Sequence, residues 1–151
     1  MRLPIAAALA LTAASALYAQ AIPDLSTATP LAGSWKYTPS SGGSEASYSD
    51  VSGNPQLWVQ CTRATRRLTI AKRASAAAPF VGVWTSSQTR SIPSAFNPAT
   101  GKLTVDLAAS DPLLDAIAAS RGRVGFTVGT EPPLVVPPWA EIARVIEDCR
   151  A

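Results

Sequence analysis

The two cysteines of this chain, Cys61 and Cys149, constrain its fold more than any other feature. Cys61 occupies an inward position in an alternating, strand-like segment, and Cys149 lies on the apolar stripe of a helix-like C-terminal segment. A bridge between them would close a loop of about 88 residues and stabilise the fold by roughly 4 to 5 kcal/mol. With no Cys-x-x-Cys spacing and no histidine to activate a thiol, a structural disulfide is favoured over a redox pair or a catalytic cysteine. The sequence therefore predicts a C-terminal helix that is covalently tied to a sheet.

Disulfides form and persist in oxidising compartments. The N-terminal sequence has the pattern of a signal that directs export to such a compartment. Residues 1–21 combine a positive charge at Arg2 with an apolar run of about 15 residues that ends in small side chains. That run is shorter than the ~20 residues needed to cross a bilayer, so a signal peptide is favoured over a membrane anchor. Cleavage is expected after Ala19 or after Ala21. The sequence predicts a periplasmic or secreted protein without a membrane span once the signal is removed.

Length and composition predict one small domain. The chain has 151 residues, of which 15% are charged and 47% are hydrophobic, with a net charge of +3. Removal of Arg2 lowers that charge to about +2, too little to indicate a nucleic-acid partner. Residues 22–33 contain two prolines and no periodicity, which predicts a flexible lead-in. A single globular β-rich domain is expected over residues 34–151.

The most sharply defined strands form a hairpin around Cys61. Pairing Thr62 with Arg67 places Cys61 opposite Leu68 and leaves residues 63–66 as a four-residue loop. This register puts five apolar side chains on one face: Leu57, Val59, Cys61, Leu68 and Ile70. An earlier hairpin is expected to pair residues 34–37 with residues 45–48 across a turn at 39–44.

Strands and helices follow one another in the rest of the chain. Further strands are expected at residues 80–85, 91–93, 103–107 and 124–128. Asp111 is expected to cap a short helix that begins at Pro112, and the C-terminal helix follows Pro138. The predicted class is mainly β (α+β), an antiparallel sandwich or flattened barrel of about seven strands with a short helix and a disulfide-tethered C-terminal helix.

The face of the Cys61 hairpin opposite its apolar side is the candidate binding surface. Its predicted members are Trp58, Gln60, Arg67 and Arg73, together with Thr62 and Thr69. Tryptophan stacks on sugar rings and on cations, and arginine binds phosphates and carboxylates with a planar fork of donors. Further cations follow nearby in the sequence, at Arg63, Arg66 and Lys72. The alternative is an ordinary solvated face, or a face covered by a second sheet with the arginines at its rim.

The sequence offers few candidates for catalytic residues. No histidine is present, so the commonest general base and the usual neutral metal ligand are missing, and no metal or cofactor is predicted. A carboxylate-dependent hydrolase would need two convergent acids, for which the sequence offers Glu45, Asp50 and Asp106. Asp111 and Asp115 are read as charges that complement a helix dipole. Three further tryptophans are assigned to packing: Trp35, Trp84 and Trp139.

From Leu57 to Arg150 the layout resembles that of small periplasmic proteins of Gram-negative bacteria. The resemblance is to the invasion-associated locus B family and the type VI secretion-associated VasI family. It rests on the signal peptide, Leu57-Trp58-Val59-Gln60-Cys61, Pro112-Leu113-Leu114-Asp115 and the closing Asp148-Cys149-Arg150. This chain has fewer cysteines than the first family. The resemblance implies an envelope-associated or accessory binding role and carries over no catalytic residue.

These observations predict an exported, soluble, non-enzymatic binding or accessory protein of the cell envelope. The expected partner is an envelope protein or an anionic envelope polymer. One alternative is an inhibitor of a lysozyme or a protease, which would dock a rigid exposed loop into an enzyme cleft. The other is the small carboxylate-dependent hydrolase, which requires two of the acids to meet in a concave site.

Overall fold

Alternating side chains along most of the chain form strands, and these strands assemble into two sheets. The computed structural model describes residues 21–151, so the predicted signal peptide lies outside the described residues except for Ala21. The strands are β1 (Gly33–Ser40), β2 (Gly43–Asp50), β3 (Pro55–Thr62), β4 (Arg67–Arg73), β5 (Phe80–Trp84), β6 (Thr89–Pro93), β7 (Ala95–Asn97), β8 (Lys102–Ala108), β9 (Val124–Thr127) and β10 (Leu134–Val136). The helices are α1 (Pro112–Ala118) and α2 (Ala140–Arg150), and a 3₁₀ turn spans Arg63–Thr65.

The larger sheet has the strand order β1-β2-β3-β4-β8-β7, and the smaller sheet has the order β10-β9-β5-β6. All neighbouring strands are antiparallel. The predicted mainly β class with antiparallel sheets is therefore confirmed. The described chain has ten strands where about seven were expected, because short pieces such as β7 and β10, with three residues each, add to the edges.

The hairpin of β3 and β4 has the predicted register. Thr62 pairs with Arg67 and Cys61 pairs with Leu68, and the loop between the strands has the expected four residues. The five apolar side chains on the inward face are all buried in one core cluster that the two sheets and both helices share. Burial of this one face is what selects the register, because a shift by one residue would turn every side chain outward.

The helices close the core on the side of the larger sheet. Asp111 accepts a hydrogen bond from the Leu113 amide at 2.9 Å and caps α1, as predicted. The inward stripe of α2 packs on β2 and β3, and Cys149 on that stripe is bonded to Cys61 with their Cα atoms 5.4 Å apart. The predicted disulfide is confirmed. It ties the last helix to a central strand of the larger sheet.

The first hairpin is longer than the sequence pattern predicted. The expected hairpin is confirmed, and its turn lies inside residues 39–44 but is shorter than that segment, since Pro39 pairs with Ser44 and only Ser41 and Gly42 lie between the strands. Proline is tolerated here because β1 is an edge strand whose outer side needs no partner. A Cβ on Gly43 would lie 1.9 Å from the Cys61 carbonyl oxygen, so close approach of β3 requires glycine at this position.

The expected flexible lead-in is instead packed against the outer face of the smaller sheet. The Leu25 side chain is only 6% exposed and contacts Trp84 and Val135. Glycine makes the room: a Cβ on Gly125 would lie 2.1 Å from Leu25 Cδ1. The Leu31 amide also donates to the Val135 carbonyl at 2.8 Å. Polar composition and prolines therefore concealed a segment that two sheet positions are shaped to receive.

Within residues 21–151, no helix has the length and apolar character needed to cross a membrane. The longer helix, α2, has 11 residues and buries only one side. That buried side faces the protein core, where Ile142, Val145 and Ile146 pack beside Cys149. The apolar residues of α2 are thus accounted for by packing within the domain.

Candidate binding surface

The outward side of the larger sheet forms what we call the open face, made by the alternate residues of β1 to β4, β7 and β8 that point away from the core. Its side chains are exposed or half-buried, and the small Ala71 is the exception. The outward residues include Lys36, Glu45, Ser47, Trp58, Gln60, Arg67, Thr69, Arg73, Lys102, Thr104 and Asp106. The open face is therefore a broad, polar sheet surface that no element of residues 21–151 covers.

All four predicted binding residues lie on the open face. Trp58 and Gln60 alternate along β3, and Arg67 and Arg73 stand at the two ends of β4. The Trp58 ring is half-buried beside Ala71, and the Lys102 Nζ atom lies 3.5 Å from its centroid. Lys102 was not among the predicted residues, because β8 pairs with β4 across the sheet and the sequence alone did not place it there.

The predicted residues do not meet at one point. Arg67 and Arg73 are separated by six residues of extended chain, which corresponds to about 20 Å. Between them, Gln60 lies opposite Thr69, whose hydroxyl donates to Asp106. The open face therefore has cations at both ends and an uncharged or acidic row across its middle. Such an arrangement suits an extended ligand better than a small one.

The three candidate catalytic acids are also kept apart. Glu45 and Asp106 lie in one row on strands that are three positions apart, which corresponds to about 14 Å. Carboxylate pairs in glycoside hydrolysis are about 5 to 9.5 Å apart. Asp50 stands at the end of β2, where it accepts hydrogen bonds from the Ser52 and Asn54 amides at 2.9 Å. The hydrogen bond from the Asn54 backbone is the main reason that the pKa of Asp50 lies below its ordinary value, so this carboxylate closes a loop.

Lys72 does not belong to the basic surface on which the sequence analysis placed it. Its side chain points inward and is 8% exposed, and its Nζ atom lies 3.2 Å from Glu131 Oε2. Burial alone would raise the pKa of Glu131, but hydrogen bonds from Ser75 and Lys72 outweigh that effect and lower it. The physical reason for the error is strand alternation: Lys72 follows Leu68 and Ile70 on the inward side of β4.

A concave site of about 630 Å³ lies where β4 begins, and we call it the arginine pocket. Its lining residues are Thr65, Arg66, Arg67, Ala108, Ala109, Ser110, Asp115 and Arg150. Arg150 donates from Nε to the Ala109 carbonyl at 2.8 Å and from Nη1 to Asp115 at 2.7 Å. Within residues 21–151, the Arg66 and Arg67 side chains have no ion pair.

Arg150 was missed by sequence reasoning, although a signal for it was present. The disulfide places Cys149 beside Cys61, and Cys61 pairs with Leu68 on β4. The end of α2 is therefore held beside the start of β4, where Arg150 and Arg67 both line the arginine pocket. The predicted bridge and register place Cys149 near β3 and β4, but they do not state which way the Arg150 side chain points.

A second cleft, of about 660 Å³, lies on the outer side of the smaller sheet beside the N-terminal segment. Much of its wall is apolar, with Ile22, Pro79, Phe80 and Pro133 among the lining residues. Its one carboxylate, Glu131, is held by Ser75 and Lys72. Among residues 21–151, no group of three or more histidine, cysteine or acidic side chains could hold a metal ion.

The other predicted roles divide between packing and exposure. Trp35 and Trp84 are each 8% exposed, and the Trp35 indole donates to the Pro137 carbonyl at 2.8 Å. Trp139, also expected to pack, is 52% exposed at the start of α2. Asp115 pairs with Arg150 in addition to standing in the first turn of α1.

Comparisons of this chain with protein-family models, with curated proteins and with solved structures found no match. The resemblance to the invasion-associated locus B and VasI families therefore stays a prediction from sequence layout. No residue role can be transferred from a relative, so the open face and the arginine pocket are the features of this chain that bear on its function.

Proposed function

We propose that this chain is an exported, non-enzymatic binding protein of the cell envelope that holds an anionic envelope polymer on its open face. One observation carries the proposal: residues 21–151 leave a broad sheet surface uncovered, and none of its cations forms an ion pair with an acid among them. The ion pairs within residues 21–151 are Lys72–Glu131, Arg90–Asp111 and Arg150–Asp115. None of these pairs uses a cation of the open face.

The spacing of the cations favours a polymer over a small ligand. Arg67 and Arg73 are about 20 Å apart along β4. A chain with regularly spaced phosphates or carboxylates could bind at both ends of the open face and cross the middle row of Gln60 and Thr69. Arginine forks bind such groups with two parallel hydrogen bonds each.

Trp58 adds an aromatic contact near the centre of this surface. Lys102 already lies over its ring, so the tryptophan and the ammonium group form one composite patch. A positive charge held over an aromatic face is stabilised by about 0.5 to 1 kcal/mol at exposed sites. The ammonium group is thereby held in position for an anionic partner.

Two features support a location in the cell envelope. The N-terminal sequence has the pattern of a signal peptide, and the Cys61–Cys149 bridge requires an oxidising compartment. The non-enzymatic part is supported by the missing histidine and by the separation of Glu45, Asp50 and Asp106.

The test is a binding measurement on the exported protein with its disulfide formed. Isothermal titration calorimetry with polyphosphate and with poly-L-glutamate probes phosphate-bearing and carboxylate-bearing polymers separately. We expect the combined variant Trp58→Ala, Arg67→Ala and Arg73→Ala to bind at least roughly tenfold more weakly, since charge-assisted hydrogen bonds and an aromatic contact are lost.

The matched control removes two arginines that lie away from the open face, Arg121→Ala and Arg144→Ala. Arg121 is exposed after α1, and Arg144 stacks on Tyr37 on the side of α2. Equal weakening in both combined variants would mean that only net charge matters, and the open face would lose its assignment. Failure of the wild-type protein to bind either polymer would overturn the proposed function.

A further inference from the structure

The arginine pocket is concave, whereas the open face beside it is a broad sheet surface. We propose that this pocket is a binding site for a phosphate group. The inference rests on the proposed function in one respect, since the group is expected to be carried by the anionic polymer. The pocket itself is defined by residues from three separate parts of the chain: the β3–β4 loop, the β8–α1 connection and the end of α2.

The arginines of the pocket have hydrogen-bond donors that no other group of the described chain uses. Arg66 and Arg67 make no side-chain hydrogen bond and no ion pair within residues 21–151. Each guanidinium carries five N–H donors. Arg150 is already oriented by the Ala109 carbonyl and by Asp115, and its Nη2 atom is not used in either contact. Arg66, Arg67 and Arg150 therefore line one concave surface, and the guanidinium groups of Arg66 and Arg67 have no protein partner within residues 21–151.

Positive charge remains in the pocket after its one carboxylate has paired with an arginine. Asp115 is the only acid in the pocket lining, and it is bonded to Arg150 at 2.7 Å. The nearby Asp111 is bonded to Arg90, and hydrogen bonding by Arg90 is the leading cause that lowers the pKa of Asp111. Among the described residues, the charges of Arg66 and Arg67 are left without an ion-pair partner, and an anionic ligand would supply one.

The number of donors in the pocket distinguishes a phosphate ligand from a carboxylate ligand. One arginine fork satisfies both oxygens of a carboxylate, whereas a phosphate presents three or four acceptor oxygens in a tetrahedral arrangement. Three arginines and Ser110 line a volume of about 630 Å³ together with Thr65, whose hydroxyl donates to the Thr62 carbonyl at 3.3 Å. The donors of several arginines exceed what one carboxylate can accept, which favours a phosphate as the ligand.

Contacts within the protein hold the backbone around the pocket in place before any ligand binds. The Ala109 amide donates to the Arg66 carbonyl at 2.9 Å, which joins the β3–β4 loop to the β8–α1 connection. Arg150 follows Cys149, whose bridge to Cys61 anchors the end of α2. Because the backbone is held in place, binding has to order only the Arg66 and Arg67 side chains and avoids the ordering cost of a flexible loop.

Arg66 offers a variant that separates binding from stability. Its φ of 50° lies in the left-handed region, which favours glycine. Arg66→Gly removes the guanidinium and relieves that backbone conformation, so we expect the variant to unfold thermally at the wild-type temperature or above it. Any loss of phosphate binding by this variant would then reflect the missing side chain.

The experiment titrates inorganic phosphate, and separately acetate at matched ionic strength, into the exported protein with its disulfide formed. The variants are Arg66→Gly and Arg67→Ala, with Arg121→Ala as the control that removes one equal charge outside the pocket. We expect roughly tenfold weaker phosphate binding for each pocket variant and wild-type binding for the control. We expect acetate to bind the wild-type protein at least roughly tenfold more weakly than phosphate does.

The outcomes separate this site from the proposed function. Equal phosphate binding by the wild-type protein and both pocket variants would overturn the site, as would an acetate affinity equal to that for phosphate. Polyphosphate binding that falls with Trp58→Ala and Arg73→Ala but not with Arg66→Gly would keep the proposed function and reject the pocket. Phosphate binding that depends on Arg66 and Arg67, in a protein that binds neither polymer, would keep the pocket and reject the proposed function.

Discussion

The outer faces of the two sheets differ in what covers them. On the smaller sheet, the N-terminal segment lies across Gly82 and Gly125 and buries Leu25 to 6% exposure. On the larger sheet, the open face carries lysine, serine, glutamine, threonine and arginine, and no other part of the described chain lies over it. Both sheets present apolar side chains inward to the same core. Their outward residues alone decide which face is filled by the protein and which is left for water or a partner.

The contrast has a simple physical origin. A Cβ on Gly82 would lie 2.8 Å from Ile22 Cγ1, and one on Gly125 would lie still closer to Leu25, so these positions accept another chain at backbone distance. The outward positions of the larger sheet carry side chains that remain solvated and leave no groove for a segment. Surface that is open in a small domain yet bears an aromatic group and unpaired cations is a reasonable site for a partner.

Loss of the disulfide should have the largest effect, and it should act on the side of the larger sheet. The double variant Cys61→Ala and Cys149→Ala opens a loop with a sequence separation of 88 residues. We expect it to lower the free energy of unfolding by about 3 to 5 kcal/mol, measured by urea denaturation. Hydrogen exchange should rise more in α2 than in β9. Equal stability of the variant and the oxidised wild-type protein would show that the bridge does not anchor the helix.

Truncation of Leu25 tests the covered face. Leu25→Ala removes a buried side chain from the groove at Gly125, and we expect it to cost about 2 to 3 kcal/mol of stability. Leu31→Ala is the matched control in the same segment, because Leu31 is 38% exposed and should cost less than about 1 kcal/mol. Equal costs in thermal or urea unfolding would mean that the segment is not specifically packed.

A smaller effect is expected at Asp111, which links the two halves of the molecule. Asp111 caps α1 after the larger sheet and pairs with Arg90 on β6 of the smaller sheet at 2.7 Å. Asp111→Ala should cost about 1 to 2 kcal/mol at neutral pH, combining a lost cap with a partly exposed ion pair. Asp111→Asn keeps a capping oxygen and should recover part of that cost.

The contribution of Asp111 should depend on pH in a defined direction. Its folded pKa lies below the ordinary value because of hydrogen bonding by Arg90, so the folded state favours the ionised form. The ionic contribution is complete above the unfolded pKa of about 4 and is lost as the pH falls through the lowered folded pKa. The stability difference between wild type and Asp111→Ala should therefore shrink on acidification. A difference that grows below about pH 4 would contradict this.

The smallest stability effect is expected on the open face. Gln60 is exposed, so Gln60→Ala should change the free energy of unfolding by no more than about 0.5 kcal/mol. Urea denaturation at several protein concentrations checks both the size of the effect and its independence from association. A cost above about 1 kcal/mol would mean that another molecule covers this face in solution, and the contrast between the sheets would disappear.

Local patterns were sufficient where one face had to be buried. Alternation from Leu57 to Ile70 predicted the β3–β4 register, because only one pairing sends every apolar side chain inward. Asp111 before Pro112 predicted a capped helix for the same kind of reason, since the cap satisfies amides at the helix start. The cysteine pair predicted the tie between α2 and β3.

Patterns failed where the decisive partner was distant in the chain. Nothing within residues 22–33 indicates that Gly82 and Gly125 leave a groove for Ile22 and Leu25. Clustered serines and glycines predicted a wide turn, but pairing with β2 extended β1 to Ser40. The candidate site shows the same division: its strand face could be predicted, whereas its pocket required Arg150 from the far end of the chain.

The sequence alone determined the antiparallel β character, the hairpin register, the capped helix and the disulfide, because each depends on a local period or on a single covalent pair. Tertiary structure alone decided that Lys72 turns to Glu131, that the N-terminal segment covers one sheet, and that three arginines converge beside β4. Those outcomes depend on which surfaces meet after the chain has folded back on itself. A period along the chain can state which way a side chain points, but it cannot state what stands opposite.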